Sequence, residues 1–514
     1  MVSSVLRPNG ELWSQQWETR LPGEIVSSII LVLGVCMLSI VIGVGAAWLI
    51  AAYRFPGRQI LGWALVLPLA VPAYILGFVT TAVLGVAGPV QTQWRNSFGT
   101  GAWFPEIRSM PVAIVVLSLT LYPYVYLLAR AALHDQAGQA FAVARTLGAG
   151  RAEAARRVLL PMLRPAIAGG AAIVAMETLT DFATVQYFQV DTVTVGVFRI
   201  WRGTYDRDGA AEIASLVLAF ALLAIAVEQI LRGRARYAET GAGGPGLEVQ
   251  RLRGVKAWGP TVTLGAVVLL GFGLPTLRLA TWAYGEQTGP RGTPLLERYT
   301  DYLRNSLVLT LATVAICLVA AALVVNSRRF TRSRWVLVAR RVSMIGYAVP
   351  GPVVAMGVVL ALVGLDQAIE PLGGNLPGTV ATGSFLALIY AYGVRFLAPA
   401  VASFEAGLEQ VPPDLSASAR SLGARPLTVV RSVHLPLTRT SILAAAVLVG
   451  VDALKELPVA LLLRPIGFDT LPVWVYNLAS ESRFEQAALP ALTIIIVAVA
   501  PVAILCRQLE ARRS

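Results

Sequence analysis

Apolar runs long enough to cross a membrane recur eleven times along this chain, and no other feature narrows its fold as much. They lie near 25–52, 60–86, 111–133, 166–188, 212–231, 258–283, 305–326, 342–364, 380–402, 441–463 and 487–506. A helix needs about 20 apolar residues to span the hydrocarbon layer. In lipid every backbone N–H and C=O must be satisfied within its own segment, so the runs are expected to be helices. Of the 514 residues 56% are hydrophobic and 14% charged, with a mean hydropathy of +0.67. That is too little charge to cover the several cores a soluble chain of this length would need. The expected fold class is an all-α membrane protein with about eleven transmembrane helices.

The net charge of +13 would suggest nucleic acid in a soluble protein. Here it has a simpler origin, because cationic residues collect in loops that stay in the cytoplasm. With 130–165 placed inside, the inner segments are 53–59, 130–165, 232–257, 327–341, 403–440 and 507–514, and they hold 27 of the 42 Lys and Arg. The densest patch is Arg328, Arg329, Arg332, Arg334, Arg340 and Arg341. This puts the C-terminus (Arg507, Arg512, Arg513) inside and the N-terminus outside, although residues 1–24, with Glu11, Glu18 and Glu24 and no apolar core, do not read as a signal peptide. Cys36 and Cys317 lie inside apolar runs and Cys506 at the end of one, so no disulfide framework is implied. His134 and His434 are too few and too far apart to suggest a metal site.

The chain also repeats itself. FAVARTLGAGRAEAARRVLLPMLRP from Phe141 matches SASARSLGARPLTVVRSVHLPLTRT from Ser416, with Arg145, Leu147, Gly148, Leu160 and Pro161 falling on Arg420, Leu422, Gly423, Leu435 and Pro436, each pair 275 apart. Glu177 and Asp181 fall on Asp452 and Glu456 in the same register. Self-similarity at a fixed offset means duplicated structure. The expected division is a first half at 1–232 with five helices, a polar linker at 233–257, and a second half at 258–514 with six. The two halves are expected to be parallel repeats about an axis along the membrane normal. Shifted back by 275, the 258–283 run would fall at −17 to 8, so the first copy is expected to lack its leading helix.

Each repeated loop reads as a short helix, a turn at Gly148 or Gly423, a second short helix, and a stop at Pro161 or Pro436. Glycine suits the left-handed residue that ends a helix, and proline disfavours helix in the residue before it. The result is a helical knob in the cytoplasm on each half. An amphipathic segment lying on the headgroups would explain Arg156 and Arg157, but not why Gly and Pro keep the same separation in both copies. Within the membrane, Glu177 and Asp181 are four apart, as are Asp452 and Glu456, and are expected to share one helix face. At about 1.5 Å per residue they lie roughly 16–22 Å from the cytoplasmic end. Acids at that depth usually face a pathway or a partner, and Lys455 and Arg395 are candidate partners; buried ion pairs that fix packing are the other reading. No phosphate-binding loop is possible, because Lys256 follows Val255 and Lys455 follows Leu454 where Gly-Lys-Ser/Thr would be required. No other catalytic constellation stands out.

At the repeated loops the sequence resembles the EAA motif of importer-type ABC permeases. Gly148 is followed by nine residues and then Val158-Leu159-Leu160-Pro161; Gly423 is followed by nine and then Val433-His434-Leu435-Pro436. The Glu-Ala-Ala element departs from the pattern, being Ala142-Val143-Ala144 and Ala417-Ser418-Ala419, so the leading glutamate is missing from both copies. The resemblance implies that these loops couple the chain to separate ATPase subunits, through Ala144, Arg145, Leu147, Gly148, Leu160 and Pro161 and through Ala419, Arg420, Leu422, Gly423, Leu435 and Pro436. The segments 176–201 and 452–481 resemble the ferric iron branch, which commonly fuses two permease halves in one chain. That implies two ATP-binding cassette subunits, a periplasmic substrate-binding protein, a multi-pass inner-membrane location, and no cofactor in this chain, ATP being bound by the partners. Glu177, Asp181, Asp452 and Glu456 are the expected pathway residues. Fused permeases for thiamine, and related ones for phosphonates, polyamines or anions, share the architecture. From a different class, an ion-coupled secondary transporter would use the same acids as its ion site, whereas a non-transporting scaffold does not predict them.

Overall fold

In a computed structural model the described residues are 10–135, 137–204, 207–232, 249–288, 295–331, 333–347, 349–369 and 383–511. The Gly-rich centre of the expected linker lies outside them, as do Arg332, Arg512 and Arg513. Among the described residues, each of the eleven apolar runs falls mainly on helix. Among the described residues seven helices are long and apolar enough to cross a membrane, or eight if one bent pair counts as a single span. The runs at 212–231, 342–364 and 487–506 fall on shorter apolar helices among the described residues, Ala211–Ala224, Gly351–Asp366 and Phe484–Val499. The 60–86 run is broken around Pro68 and Pro72 into Arg58–Ala64, a 3-10 turn at Leu67–Ala70, and Ala73–Leu84.

The duplication is visible element by element. Leu21–Ala52 corresponds to Leu295–Phe330, Met110–Asp135 to Phe385–Glu409, Leu160–Thr180 to Leu435–Leu437 plus Arg439–Lys455, and Arg207–Arg232 to Phe484–Ala511. A hydrogen bond repeats as well. The Ser28 hydroxyl accepts from Val193 N at 3.0 Å, and the Ser306 hydroxyl accepts from Leu471 N at 2.7 Å, both across 165 residues. These two pairs are 278 apart, so the register of the outer elements has moved by three from the 275 of the loops.

Proline does not stop the knob helices as the sequence suggested. It is preceded each time by one wide turn. π-Helical segments occupy 155–159, 269–273 and 430–434, and each is followed directly by Leu-Pro: Leu160-Pro161, Leu274-Pro275 and Leu435-Pro436. A proline inside a helix has no N–H for the carbonyl four residues back and its ring crowds that carbonyl. Opening the preceding turn to π geometry relieves the clash without ending the helix. In the first copy the chain then runs as one span over 156–180, whereas in the second it bends by 77° between Pro426–Leu437 and Arg439–Lys455.

The halves cross-pack. Arg207–Arg232 lies against Gly351–Ile369 of the other half, and Phe484–Ala511 lies against Leu67–Ala70. The helix that precedes the second half, Gly254–Thr288, packs on Phe484–Ala511 and on the first half. Its Trp282 ring is 6.2 Å from Phe484, which stacks on Phe78 at 6.1 Å, so three rings join the two copies. A parallel bridge of Tyr53–Arg54 with Gln250–Arg251 ties the end of the linker to the first inner loop.

Candidate functional site

Both membrane acids expected to continue a helix instead end one. Asp181 and Glu456 have extended backbones (φ −74°, ψ 124° and φ −69°, ψ 119°) just past Leu160–Thr180 and Arg439–Lys455. Each side chain then starts the next short helix, Ala183–Tyr187 or Pro458–Leu463. Asp181 Oδ1 accepts from Thr184 N at 2.8 Å and Oδ2 from the Thr184 hydroxyl at 2.6 Å; Glu456 Oε1 accepts from Val459 N at 3.3 Å. A carboxylate is well suited to this place, because the first N–H groups of a helix lack intrahelical partners. So Glu177 and Asp181 do not share one helix face, nor do Asp452 and Glu456. The break in each helix is made by the acid itself.

The breaks meet at the interface of the two halves, around a cavity of about 120 Å³. Glu177, Thr180 and Asp181 of the first half line it, with Arg395, Lys455 and Glu456 of the second and the rings of Tyr74 and Tyr124. Arg395 Nε is 3.1 Å from Glu456 Oε2 and its Nη1 donates to Val349 O at 3.2 Å, with both side chains 7% exposed. Lys455 Nζ is 2.8 Å from Asp452 Oδ1. Both cations named from the sequence thus take carboxylate partners. Asp452 does not line the cavity, whereas the other three acids do. Three lining carboxylates against two lining cations leave a formal excess of one negative charge, and among the described residues Glu177 and Asp181 of the first half have no cation in salt-bridge contact.

At the basic end of the molecule the repeated loops fold as the same knob twice. Ala137–Thr146 and Pro413–Ser421 each end at a left-handed glycine, Gly148 (φ 89°) and Gly423 (φ 87°). The turn bonds repeat too: Gly148 N to Arg145 O at 3.1 Å and Gly423 N to Arg420 O at 3.0 Å, then Ala149 N to Ala144 O and Ala424 N to Ala419 O, both 3.1 Å. Leu147 and Leu422 project from the tips, 82% and 88% exposed.

The knobs are anchored by different chemistry. In the second, buried His434 donates from Nδ1 to Asn326 Oδ1 at 2.6 Å, Nε2 meets the Ser416 hydroxyl at 2.8 Å, and the ring stacks on Phe330 at 5.8 Å. Asn326 Nδ2 donates to Ala322 O at 2.7 Å, which presents its carbonyl oxygen to the imidazole and keeps a proton on Nδ1. In the first copy the equivalent residues are Leu159 and Phe141, with Trp48 edge-on to Phe141 at 5.8 Å. His434→Ala is expected to cost about 1–3 kcal/mol, since the buried Asn326 oxygen loses its partner; His434→Gln should recover part of this in thermal unfolding of the purified protein.

Sequence reasoning missed Tyr74 and Tyr124, which carry no local signal among the other membrane aromatics, and Val349, whose role is a backbone carbonyl. It also missed that the acids break their helices, although Pro458, two residues after Glu456, pointed to it.

Residues 39–237 and 315–514 each match the family described as the binding-protein-dependent transport system inner membrane component. The chain belongs to that family. The two matches fall one on each structural copy, so the permease is two fused halves. It is similar to the Fe(3+)-transport system permease protein FbpB 2 of Haemophilus influenzae, 24% identical over 490 residues that cover 94% of this permease and 89% of that one. The sulfate transport system permease protein CysT of Escherichia coli is 28% identical over 232 residues, 43% of this permease and 82% of its own length. A crystal structure of a bacterial ABC transporter involved in the import of the acidic polysaccharide alginate aligns with a TM-score of 0.38 at 16% identity, over 49% of this permease and 94% of that chain. By its family match and its relatives, the permease is the multi-pass inner-membrane subunit of an ABC importer. Its family works with an ATPase and a binding protein, and its relatives are transport permeases, not enzymes.

Proposed function

We propose that this permease carries ferric iron, handed over by a periplasmic binding protein, through the chamber between its halves, driven by two ATPase subunits seated on the knobs at 137–159 and 413–434. The excess of carboxylate in the chamber carries this reading. Arg395 and Lys455 are each already engaged by an acid, which leaves little capacity for a sulfate-like anion. Glu177 and Asp181 remain to attract a hard cation, for which carboxylate oxygens are the suited donors. Weak contact at a few carboxylates suits transit, because a site that carries an ion onward must also release it. A relative aligned over 94% of the chain is an Fe(3+)-transport system permease protein. The paired knobs support coupling: each presents an exposed leucine on a rigid turn, the form of surface that docks into a groove. The halves 1–232 and 258–514 then serve as the two moving bodies, with 233–257 as their cytoplasmic connection.

The test is uptake of radiolabelled ferric iron by proteoliposomes containing the permease, its ATPase and its binding protein. Glu177→Gln combined with Asp181→Asn is expected to lower uptake about tenfold or more, the equivalent of about 1.4 kcal/mol of lost cation stabilisation, while the complex still assembles. Sulfate uptake in place of iron, or unchanged iron uptake by the double variant, would overturn the assignment.

A further inference from the structure

Beyond the charged chamber, on the side away from the knobs, lies a second cavity of about 560 Å³ bordered by Gln186, Gln189, Asp191, Arg199, Phe198 and Tyr476. The Ala183–Tyr187 helix runs between the two spaces: Asp181, Phe182 and Ala183 face the chamber, and Gln186 faces the outer cavity. The partition is aromatic. The Phe182 ring stacks on Phe198 at 3.7 Å and 12°, and meets Tyr476 edge-on at 5.6 Å. All three rings are buried. Phe198 and Tyr476 are 278 apart, the separation that relates Ser28 to Ser306 and Val193 to Leu471. Equivalent positions of the two halves therefore converge on one ring. Beside them the Tyr476 hydroxyl donates to Gln186 Oε1 at 2.6 Å, joining the second half to the first.

We propose that Phe182, Phe198 and Tyr476 form the outer gate of the transport path, latched by the Gln186–Tyr476 hydrogen bond. The rings close the chamber to water and ions with an apolar plug on the line where the halves meet. Separation of the halves withdraws Tyr476 from Phe182 and breaks the latch, which joins the outer cavity to the acids below. Because Phe198 and Tyr476 sit on opposite halves, the gate responds to the relative position of the halves.

This inference rests on the transport reading but can be tested without cargo. The full complex in spheroplasts, with Cys36, Cys317 and Cys506 replaced by serine, carries either Gln189→Cys, exposed in the outer cavity, or Ala73→Cys, half-buried in the chamber. A membrane-impermeant maleimide is added outside. With the gate closed in at least about nine molecules in ten, Ala73→Cys should react about tenfold or more slowly than Gln189→Cys. Phe182→Ala should raise the Ala73→Cys rate towards that of Gln189→Cys and leave the latter unchanged. Tyr476→Phe, which keeps the ring and removes the latch, should give a smaller rise and provides the reading if Phe182→Ala does not assemble. Equal rates for the two cysteines in the parent, or an Ala73→Cys rate unmoved by every assembled gate variant, would overturn the gate. Neither result depends on which ion is carried.

Discussion

Arg395→Met is expected to destabilise the permease by about 3–5 kcal/mol, the usual cost of removing one partner from a buried ion pair. The guanidinium holds Glu456 at 3.1 Å and the Val349 carbonyl at 3.2 Å, with both charged side chains 7% exposed. Without it a carboxylate is left in a low-dielectric interior with one backbone N–H for support. By contrast, Arg483–Glu481, 50% and 62% exposed, is a surface pair worth about 0–1 kcal/mol. Arg395→Met with Glu456→Leu should recover most of the loss, since a buried pair replaced by apolar groups of similar size is often neutral. Thermal unfolding of the purified protein in detergent reads all three. A single variant within about 1 kcal/mol of the parent would mean that water reaches Glu456 freely and that the pair is not structural.

The second large effect is expected at the knobs. Gly148→Pro or Gly423→Pro places a residue locked near φ −65° where the chain needs 89° or 87°, and removes the N–H that closes the turn on Arg145 or Arg420. At about 3 kcal/mol for a proline forced into such a place, the equilibrium for forming the native knob shifts against it by roughly a hundredfold. ATP-driven uptake should fall in proportion, while the protein stays in the membrane and ATP hydrolysis by the partners persists. Gly→Ala at the same positions, costing about 1–2 kcal/mol for left-handed backbone, should give an intermediate loss. Unchanged uptake by both proline variants would remove the docking role from the knobs.

These expectations rest on features that differ in how far the sequence revealed them. The duplication and the knob turns were legible because glycine and proline report backbone geometry directly: Gly148 and Gly423 are left-handed as their type requires. The acids were legible as a duplicated set, and Lys455 and Arg395 as their partners, because an apolar run offers few other charges. What the sequence obscured was the path of the backbone. A helix-period pattern does not show that Asp181 leaves one helix to cap the next, since the apolar residues on either side keep the same composition. Nor does Leu-Pro reveal whether a helix ends or widens for one turn; at 161, 275 and 436 it widens. The pairing of Phe198 with Tyr476 was hidden by the three-residue change of register between the loops and the outer elements.

The bend in one copy and not the other has a mechanical consequence. On the proposed coupling, a push applied at Gly148 would enter a wide turn and then travel along one unbroken span, 156–180, to Asp181. A push of the same size at Gly423 must turn through 77° near Thr438 before it reaches Glu456. On that reading one half would be driven like a piston and the other like a crank, so equal strokes at the two knobs would arrive in the chamber along different directions.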